Sequence, residues 1–308
     1  MKPRTARAIE PNVGSRKALE KKLVKMYDDL FKRVFAAIVD DLTEAGMLSE
    51  ETLEGGASDA ALALTGAEKR VLSNVQKKLK AGISPNEIGT RVNRFSAERI
   101  ARWLLGTDEE ARKISHWFVN TAARDATAAQ RKALLDAGVS PKALKERWSV
   151  PYLKKTFLAP ETANALPSIA DMVTSGLKGF SSDQVGRLQK TIVDGLQSGY
   201  SIRDVWKEIS KTNRWGAQRA KQEALRITLQ VHSEVERKNC ESLGVREGIW
   251  IHVPGQYMSR SSHMRMNGKR FELGKGLWDE DAKMYCTPGQ LYYCRCTFRQ
   301  VIPPELLQ

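Results

Sequence analysis

The chain has no apolar run approaching the ~20 residues needed to cross a bilayer as a helix, which excludes a helical membrane anchor. Its start, Met1-Lys2-Pro3-Arg4, has no hydrophobic segment behind it and is not a signal peptide, so synthesis and residence in the cytoplasm are expected. Acidic residues are the scarcer charge: 36 Asp and Glu stand against 50 Lys and Arg, a formal net charge of +14. That excess suits a polyanionic partner such as double-stranded DNA, because neutralising phosphates releases counterions. It is spread along the whole chain with no arginine-rich run, so a solvated charged surface accounts for it equally well. Cysteine is rare too. Four cysteines, three of them close together near the C-terminus, do not make a secreted disulfide framework. No P-loop or metallohydrolase motif appears. The seven tryptophans are spread singly, as core anchors would be, with no basic-aromatic stacking motif for single strands.

What is present is mostly helical. Residues 1–15, with two prolines, a glycine and several charges, read as a flexible arm. Leu19, Leu23, Met26, Leu30, Val34, Ile38 and Leu42 then recur at spacings of three and four, which places them on one stripe of a long helix. The stripe is explained by core burial, or by docking part of its length on another subunit. Glu54-Gly55-Gly56 to Ser58 reads as a linker. Ser84-Pro85-Asn86-Glu87 joins a cap residue, a first-turn proline and a capping-box acid. Thr107-Asp108-Glu109-Glu110 repeats the capping logic, and Gly138-Val139-Ser140-Pro141 ends one helix and starts another. The tract Trp148-Ser149-Val150-Pro151 with Ala159-Pro160 breaks the helical pattern and is the candidate boundary between a helical region, 16–150, and a C-terminal domain, 151–308. Phe180-Ser181-Ser182-Asp183-Gln184 and Ser201-Ile202-Arg203-Asp204 mark two further helix starts, with a turn at Gly199-Tyr200. Ala220, Ala224, Ile227, Val231 and Val235 define a helix that Gly244 can close with a left-handed cap. The expected class is α+β and predominantly helical: a helical N-terminal region, then helices with a small antiparallel sheet.

Strand chemistry is confined to the last fifty residues. Asn267-Gly268 is a strong two-residue hairpin signal. Tyr292, Tyr293, Thr297, Phe298, Val301 and Ile302 suit a strand that Pro303-Pro304 would stop. Side chains alternate along a strand, so Cys294 and Cys296 would share one face and Arg295 the other. His263, Cys286, Cys294 and Cys296 are four ligands of the number and type a tetrahedral structural zinc takes. Their spacing is not that of a turn-held zinc motif. Buried cysteines beside a backbone-bonded histidine, or a disulfide from Cys286 to Cys294 or Cys296, fit the same residues. An enzyme is not expected. Cysteine, histidine and arginine are present, but no carboxylate is placed to orient His263, since Asp279 and its neighbours lie in the loop-like Trp278-Asp279-Glu280-Asp281. Arg265, Lys269 and Arg270 are the candidate contacts to DNA or a partner, while Arg260 and Arg295 read as internal staples that pair with carboxylates or loop carbonyls.

The ordered set Trp250, Arg260-x-x-His263, Gly268-Lys269-x-Phe271, Pro288-Gly289 and Cys294-Arg295-Cys296 resembles the C-terminal domain of the Mu F-like head morphogenesis family of tailed bacteriophages. The likeness continues upstream through Arg226-Ile227-Thr228, Asn239 and Gly244-Val245. The family carries an aspartate between the tryptophan and the arginine, whereas the stretch from Ile251 to Ser259 has none. The resemblance implies a minor head protein, incorporated during procapsid assembly and located in the virion near the portal. Its implied partners are the portal protein, coat or scaffolding protein, and packaged DNA. A phage or toxin-system enzyme using His263, Cys294 and Cys296, and a free DNA-binding protein, are the alternatives.

Overall fold

The computed structural model describes residues 4–44, 85–153, 156–198, 202–254, 259–291 and 294–307. Among the described residues four long helices carry most of the chain: α1 (Val13–Glu44), α2 (Pro85–Asp136), α4 (Pro160–Gln197) and α5 (Ile202–Ser242), with a short α3 (Pro141–Arg147) between α2 and α4. After α5 come β3 (Glu247–Ile251), the short helix α6 (Ser261–Met266), β4 (Arg270–Glu272), β5 (Leu277–Asp279), β6 (Met284–Cys286) and β7 (Thr297–Gln300). Two two-residue strands, β1 (Val150–Pro151) and β2 (Phe157–Leu158), pair between α3 and α4. The fold is therefore predominantly helical α+β, as the sequence pattern predicts.

Helix punctuation succeeds where glycine or proline enforces it. Helix α2 opens at Pro85, and it ends before Gly138, whose φ of +89° only glycine adopts without strain. Gly244, at φ +70°, closes α5, with the Val245 N–H returning to the Cys240 carbonyl at 3.0 Å. Cap-type residues alone do not break a helix. Thr107-Asp108-Glu109-Glu110 lies inside α2, and Phe180 to Gln184 inside α4, contrary to the starts read from sequence. Ser181 and Gln184 are buried on the core side of α4 and no chain reversal frees the backbone groups a cap would satisfy. The linker at Glu54 to Ser58 and the turn at Gly199-Tyr200 lie outside the described residues.

The chain forms two compact units, and neither follows the boundary expected near residue 150. One comprises Met1–Glu20, Arg112–Thr174 and Gln222–Gln308; the other comprises Lys21–Ala111 and Ser175–Lys221. The Trp148 to Pro151 break is a bend inside the first unit, tied down by the Trp148 indole donating to Ser242 Oγ at 3.1 Å. In the second unit Leu23, Met26, Tyr27 and Leu30 of α1 are buried, as the stripe predicts, along with Leu177, Phe180, Val185 and Leu188 of α4. The Tyr27 and Phe180 rings lie 6.4 Å apart. A Cβ at Gly216 would fall 2.0 Å from the Tyr27 ring, so only glycine admits that helix contact. Leu19 of the same stripe is buried in the first unit, while the side chains of Val34, Ile38 and Leu42 lie outside the described set.

In the first unit, β3 is the central strand of a β4-β3-β7 antiparallel sheet. The register sets Trp250 opposite Phe298 and Ile251 opposite Thr297. Residues 4–12 are not a flexible arm. They run extended beside β7: Thr5 bridges Val301, the Ala6 N–H donates to the Gln300 carbonyl at 3.0 Å, and Ala6 and Ile9 are buried. Small and apolar side chains at 6 and 9 fit the core, and the otherwise open edge of β7 offers the ladder.

A buried amide network joins α2, α4 and α5 in this unit. Asn239 Nδ2 donates to Thr127 Oγ1 at 3.0 Å and Gln130 Oε1 at 2.9 Å, and Thr162 Oγ1 donates to Asn239 Oδ1 at 2.6 Å. Gln130 Nε2 donates in turn to the Glu236 carbonyl at 3.2 Å. Asn239 belongs to the residues carrying the family resemblance, and this network shows what it does: it satisfies buried groups on two neighbouring helices at once.

Candidate metal centre

The site is built at one end of the three-stranded sheet, on an aromatic floor. β3 alternates, so Gly248 and Trp250 face inward. Trp250 stands edge-to-face with Phe271, ring centroids 5.8 Å apart, and Phe271 with Phe298 at 6.0 Å. A Cβ at Gly248 would come within 2.9 Å of Phe298, so glycine is what lets the floor close. Helix α6 lays His263 on the Trp250 edge, ring centroids 5.3 Å apart, and buries it to 3 % exposure.

The Asn267-Gly268 pair does not cap a strand hairpin. It forms the tight turn from α6 into β4, with Asn267 at φ −53° and ψ 129°, Gly268 at φ +79°, and the Lys269 N–H bonded to the Met266 carbonyl at 2.9 Å. One positive φ rather than two is the type II pattern, which Asn-Gly also satisfies. Asn267 Oδ1 accepts the His252 N–H at 2.9 Å, so the turn also fixes the chain leaving β3.

A buried carboxylate orients His263, which corrects the expectation that none does. Asp279 Oδ2 lies 2.9 Å from His263 Nε2, and Asp279 is fully buried. Its other oxygen accepts the N–H groups of Asp281 at 2.8 Å and Ala282 at 3.0 Å. Burial alone would raise this carboxyl; the two backbone donors, with Ser262 and His263, outweigh it and hold the group below its usual range. Asp279 is thus an anion, and an anion at Nε2 requires the proton there. His263 Nδ1 is the ring nitrogen that Asp279 leaves for another partner.

That nitrogen faces sulfur. Cys294 Sγ lies 3.3 Å and Cys296 Sγ 3.6 Å from His263 Nδ1. The two cysteines precede β7 rather than lying in it, yet both thiols face His263 from one side, while Arg295 is half-buried. The pair shares a proton: the thiol of Cys294 is held up and that of Cys296 down, chiefly by the hydrogen bond from one to the other. His252 Nδ1 also approaches Cys296, at 3.5 Å. His263, Cys294 and Cys296 form one group able to hold a metal ion, with all ligand atoms within 4.8 Å of one another.

Cys286 is placed differently from the expectation that it joins these ligands. Its Sγ lies 3.8 Å from Asp279 Oδ2, and with Asp279 and His263 it makes a second, overlapping group. Burial, then the Asp279 charge, pushes its thiol up to about 12, so it remains protonated. All four cysteines are free, including Cys240, so no disulfide joins Cys286 to Cys294 or Cys296. Pro288 and Gly289 press the intervening loop onto α5: Ser233 Oγ donates to the Pro288 carbonyl at 2.6 Å, and a Cβ at Gly289 would meet Ser233 at 3.2 Å.

A cavity of about 170 Å³ opens beside Cys296, lined also by Arg16, His232, Glu236 and Arg295. The Glu236 carboxyl accepts a hydrogen bond from Gln300 at 2.9 Å, and burial raises it to about 8. His232, buried next to it, is lowered to about 4 for the same reason. Helix-face spacing reads Glu236, with Glu234, as a solvated carboxylate, whereas Glu236 is buried; His232 carries no such signal in the sequence.

The charged candidates divide. Arg265 and Lys269 are exposed, and Arg270 is exposed but paired with Glu247. Arg260 and Arg295 are half-buried, and among the described residues neither pairs with a carboxylate. Tyr292 and Tyr293 lie outside the described residues. No helix among the described residues is long and apolar enough to cross a membrane. No family model, no curated protein and no solved structure matches this chain.

Proposed function

We propose that the chain is a minor head protein of a tailed bacteriophage, acting in procapsid assembly at the portal, and that its cysteine-histidine cluster holds a structural zinc ion. The observation that carries this reading is the convergence of the residues behind the resemblance. Trp250, His263, Phe271, Cys294 and Cys296, separated by up to 46 positions in sequence, pack into one buried cluster. A motif that builds a core is the signature of a shared architecture rather than of a shared reaction. Zinc is the metal the donor set favours: thiolate sulfur and imidazole nitrogen, buried, with a carboxylate fixing the imidazole from behind. The excess of positive charge favours contact with packaged DNA through exposed residues such as Arg265 and Lys269.

Co-sedimentation of the purified chain with its phage's portal, at low and high salt and with metal content measured on the same sample, tests the reading. Portal binding that survives high salt supports an apolar docking surface. Its absence at both salts removes the portal as sufficient partner.

One observation favours a second reading. Cys296, His263 and Asp279 stand in the order of nucleophile, base and orienting acid, with Cys296 on a cavity wall. A catalytic thiol would be alkylated selectively by iodoacetamide in the metal-loaded protein, whereas a zinc-bound thiolate would be protected.

A further inference from the structure

We propose that His252, and not Cys286, completes the metal site, so that the ion is held by His252, His263, Cys294 and Cys296 in a closed two-sulfur, two-nitrogen set. This inference rests on the zinc reading above and assigns its fourth ligand.

The argument begins with register. β3 and β7 pair antiparallel, with Ile251 opposite Thr297. One step further along both strands sets His252 opposite Cys296. Side chains alternate, so this pair returns to the face that carries Trp250 and Phe298, and Cys294, two residues earlier, points the same way. That is the face on which α6 lays His263 against Trp250. Strand pairing therefore brings together the two segments that flank its end, with His252 on one and Cys294 and Cys296 on the other, and α6 supplies His263.

Distances within the group His263, Cys294 and Cys296, and from His252 to Cys296, agree with a tetrahedron, while His252 stands outside the group whose ligand atoms all lie within 4.8 Å of one another, so its half-buried ring must turn inward as the ion binds. Zinc bonds of about 2.3 Å to sulfur and 2.0–2.1 Å to nitrogen, at tetrahedral angles, set each nitrogen–sulfur edge at about 3.6 Å. The three nitrogen–sulfur separations observed are 3.3 Å for His263 to Cys294, 3.6 Å for His263 to Cys296, and 3.5 Å for His252 to Cys296. All three use Nδ1. Cys286 fails the same test: its sulfur contacts Asp279, which occupies the opposite nitrogen of the His263 ring. One ion cannot bind both nitrogens of an imidazole. Charge agrees too, since two thiolates neutralise a divalent cation in a buried place.

Metal content and cobalt(II) absorption of the full chain decide the matter, for wild type and for His252→Ala, His252→Cys, Cys286→Ser and Asp279→Asn, with far-UV circular dichroism checking each fold. Wild type should bind one zinc, and Cys286→Ser should match it. His252→Ala should weaken zinc by more than about 100-fold, beyond the 10–100-fold expected for losing the outer-shell partner in Asp279→Asn. His252→Cys keeps four ligands, and its sulfur-to-cobalt charge-transfer band should grow by about half as a third thiolate joins. If wild type binds zinc while His252→Ala leaves affinity and spectrum unchanged, or Cys286→Ser lowers them, the fourth-ligand assignment falls and the zinc reading stands. If folded wild type takes up no metal, both fall.

Discussion

Two polar clusters are buried in the same unit, and they solve the same problem in opposite ways. Around Asn239, both amide hydrogens find oxygens, of Thr127 and Gln130, and the amide oxygen accepts from Thr162, so that three residues close on a single side chain. Around His263 the chain instead gathers groups that accept. Nδ1 of His263 and the sulfurs of Cys294 and Cys296 face one another, with Asp279 on the opposite ring nitrogen. The first cluster is complete as protein. The second brings an imidazole nitrogen and two sulfurs that share one proton to a point, an arrangement that a cation can complete.

Removing metal should separate them most sharply. With free zinc about a thousandfold above its dissociation constant, chelation should lower the unfolding free energy by about 4 kcal/mol. Urea denaturation with and without a chelator measures this, and an unchanged midpoint would make the two clusters alike. Next in size, Asn239→Leu should cost about 3 kcal/mol, because it leaves donors and acceptors of Thr127, Gln130 and Thr162 buried without partners. That loss should be the same with or without chelator; a chelator-dependent loss would mean that the clusters are coupled.

Titration sharpens the contrast from a third place, the pair His232 and Glu236. Glu236 titrates near 8 in the fold against 4.5 ordinarily, and His232 near 4 against 6.5. Between pH 4.5 and 6.5 the unfolded chain carries an anionic glutamate and a cationic histidine while the folded pair is neutral, so the bound protons are equal and stability is flat. From pH 6.5 to 8 the unfolded chain has neither proton and the fold still holds the one on Glu236, so stability falls as pH rises. The fall should be about 2 kcal/mol over that range and should vanish in Glu236→Gln. Urea midpoints at several pH values check both statements. Smallest of all, Arg270→Ala should change stability by less than about 0.5 kcal/mol, because its pairing with Glu247 is exposed.

The same contrast explains what could be read in advance. Ala220, Ala224, Ile227, Val231 and Val235 announce α5 by spacing alone, and Gly138 with Pro141 announces a helix junction, because periodicity and backbone-restricted residues act locally. Cys294, Cys296 and His263 were legible as ligand types. Asp279 was not, since an acidic residue among Trp278, Glu280 and Asp281 looks solvated, and its burial depends on β5 pairing with β6 and on two backbone donors in the turn that follows. His252 was missed for a related reason: only the pairing of β3 with β7 sets it against Cys296, and register is a long-range property. The supposed arm at the start of the chain failed likewise, because composition says nothing of an open strand edge waiting almost 300 residues away.

That last contact has a consequence during synthesis. Thr5 meets Val301, so the sheet edge that receives residues 4–12 is synthesised long after them. At ordinary elongation rates the early segment waits on the order of tens of seconds, its backbone groups unpaired, while helices that need only near neighbours can already assemble. Completion of this unit therefore waits for β7: a ribosome stalled before residue 297 would display α1, α2, α4 and α5 without the strand that pairs with β3 and is followed by Val301, the partner of Thr5.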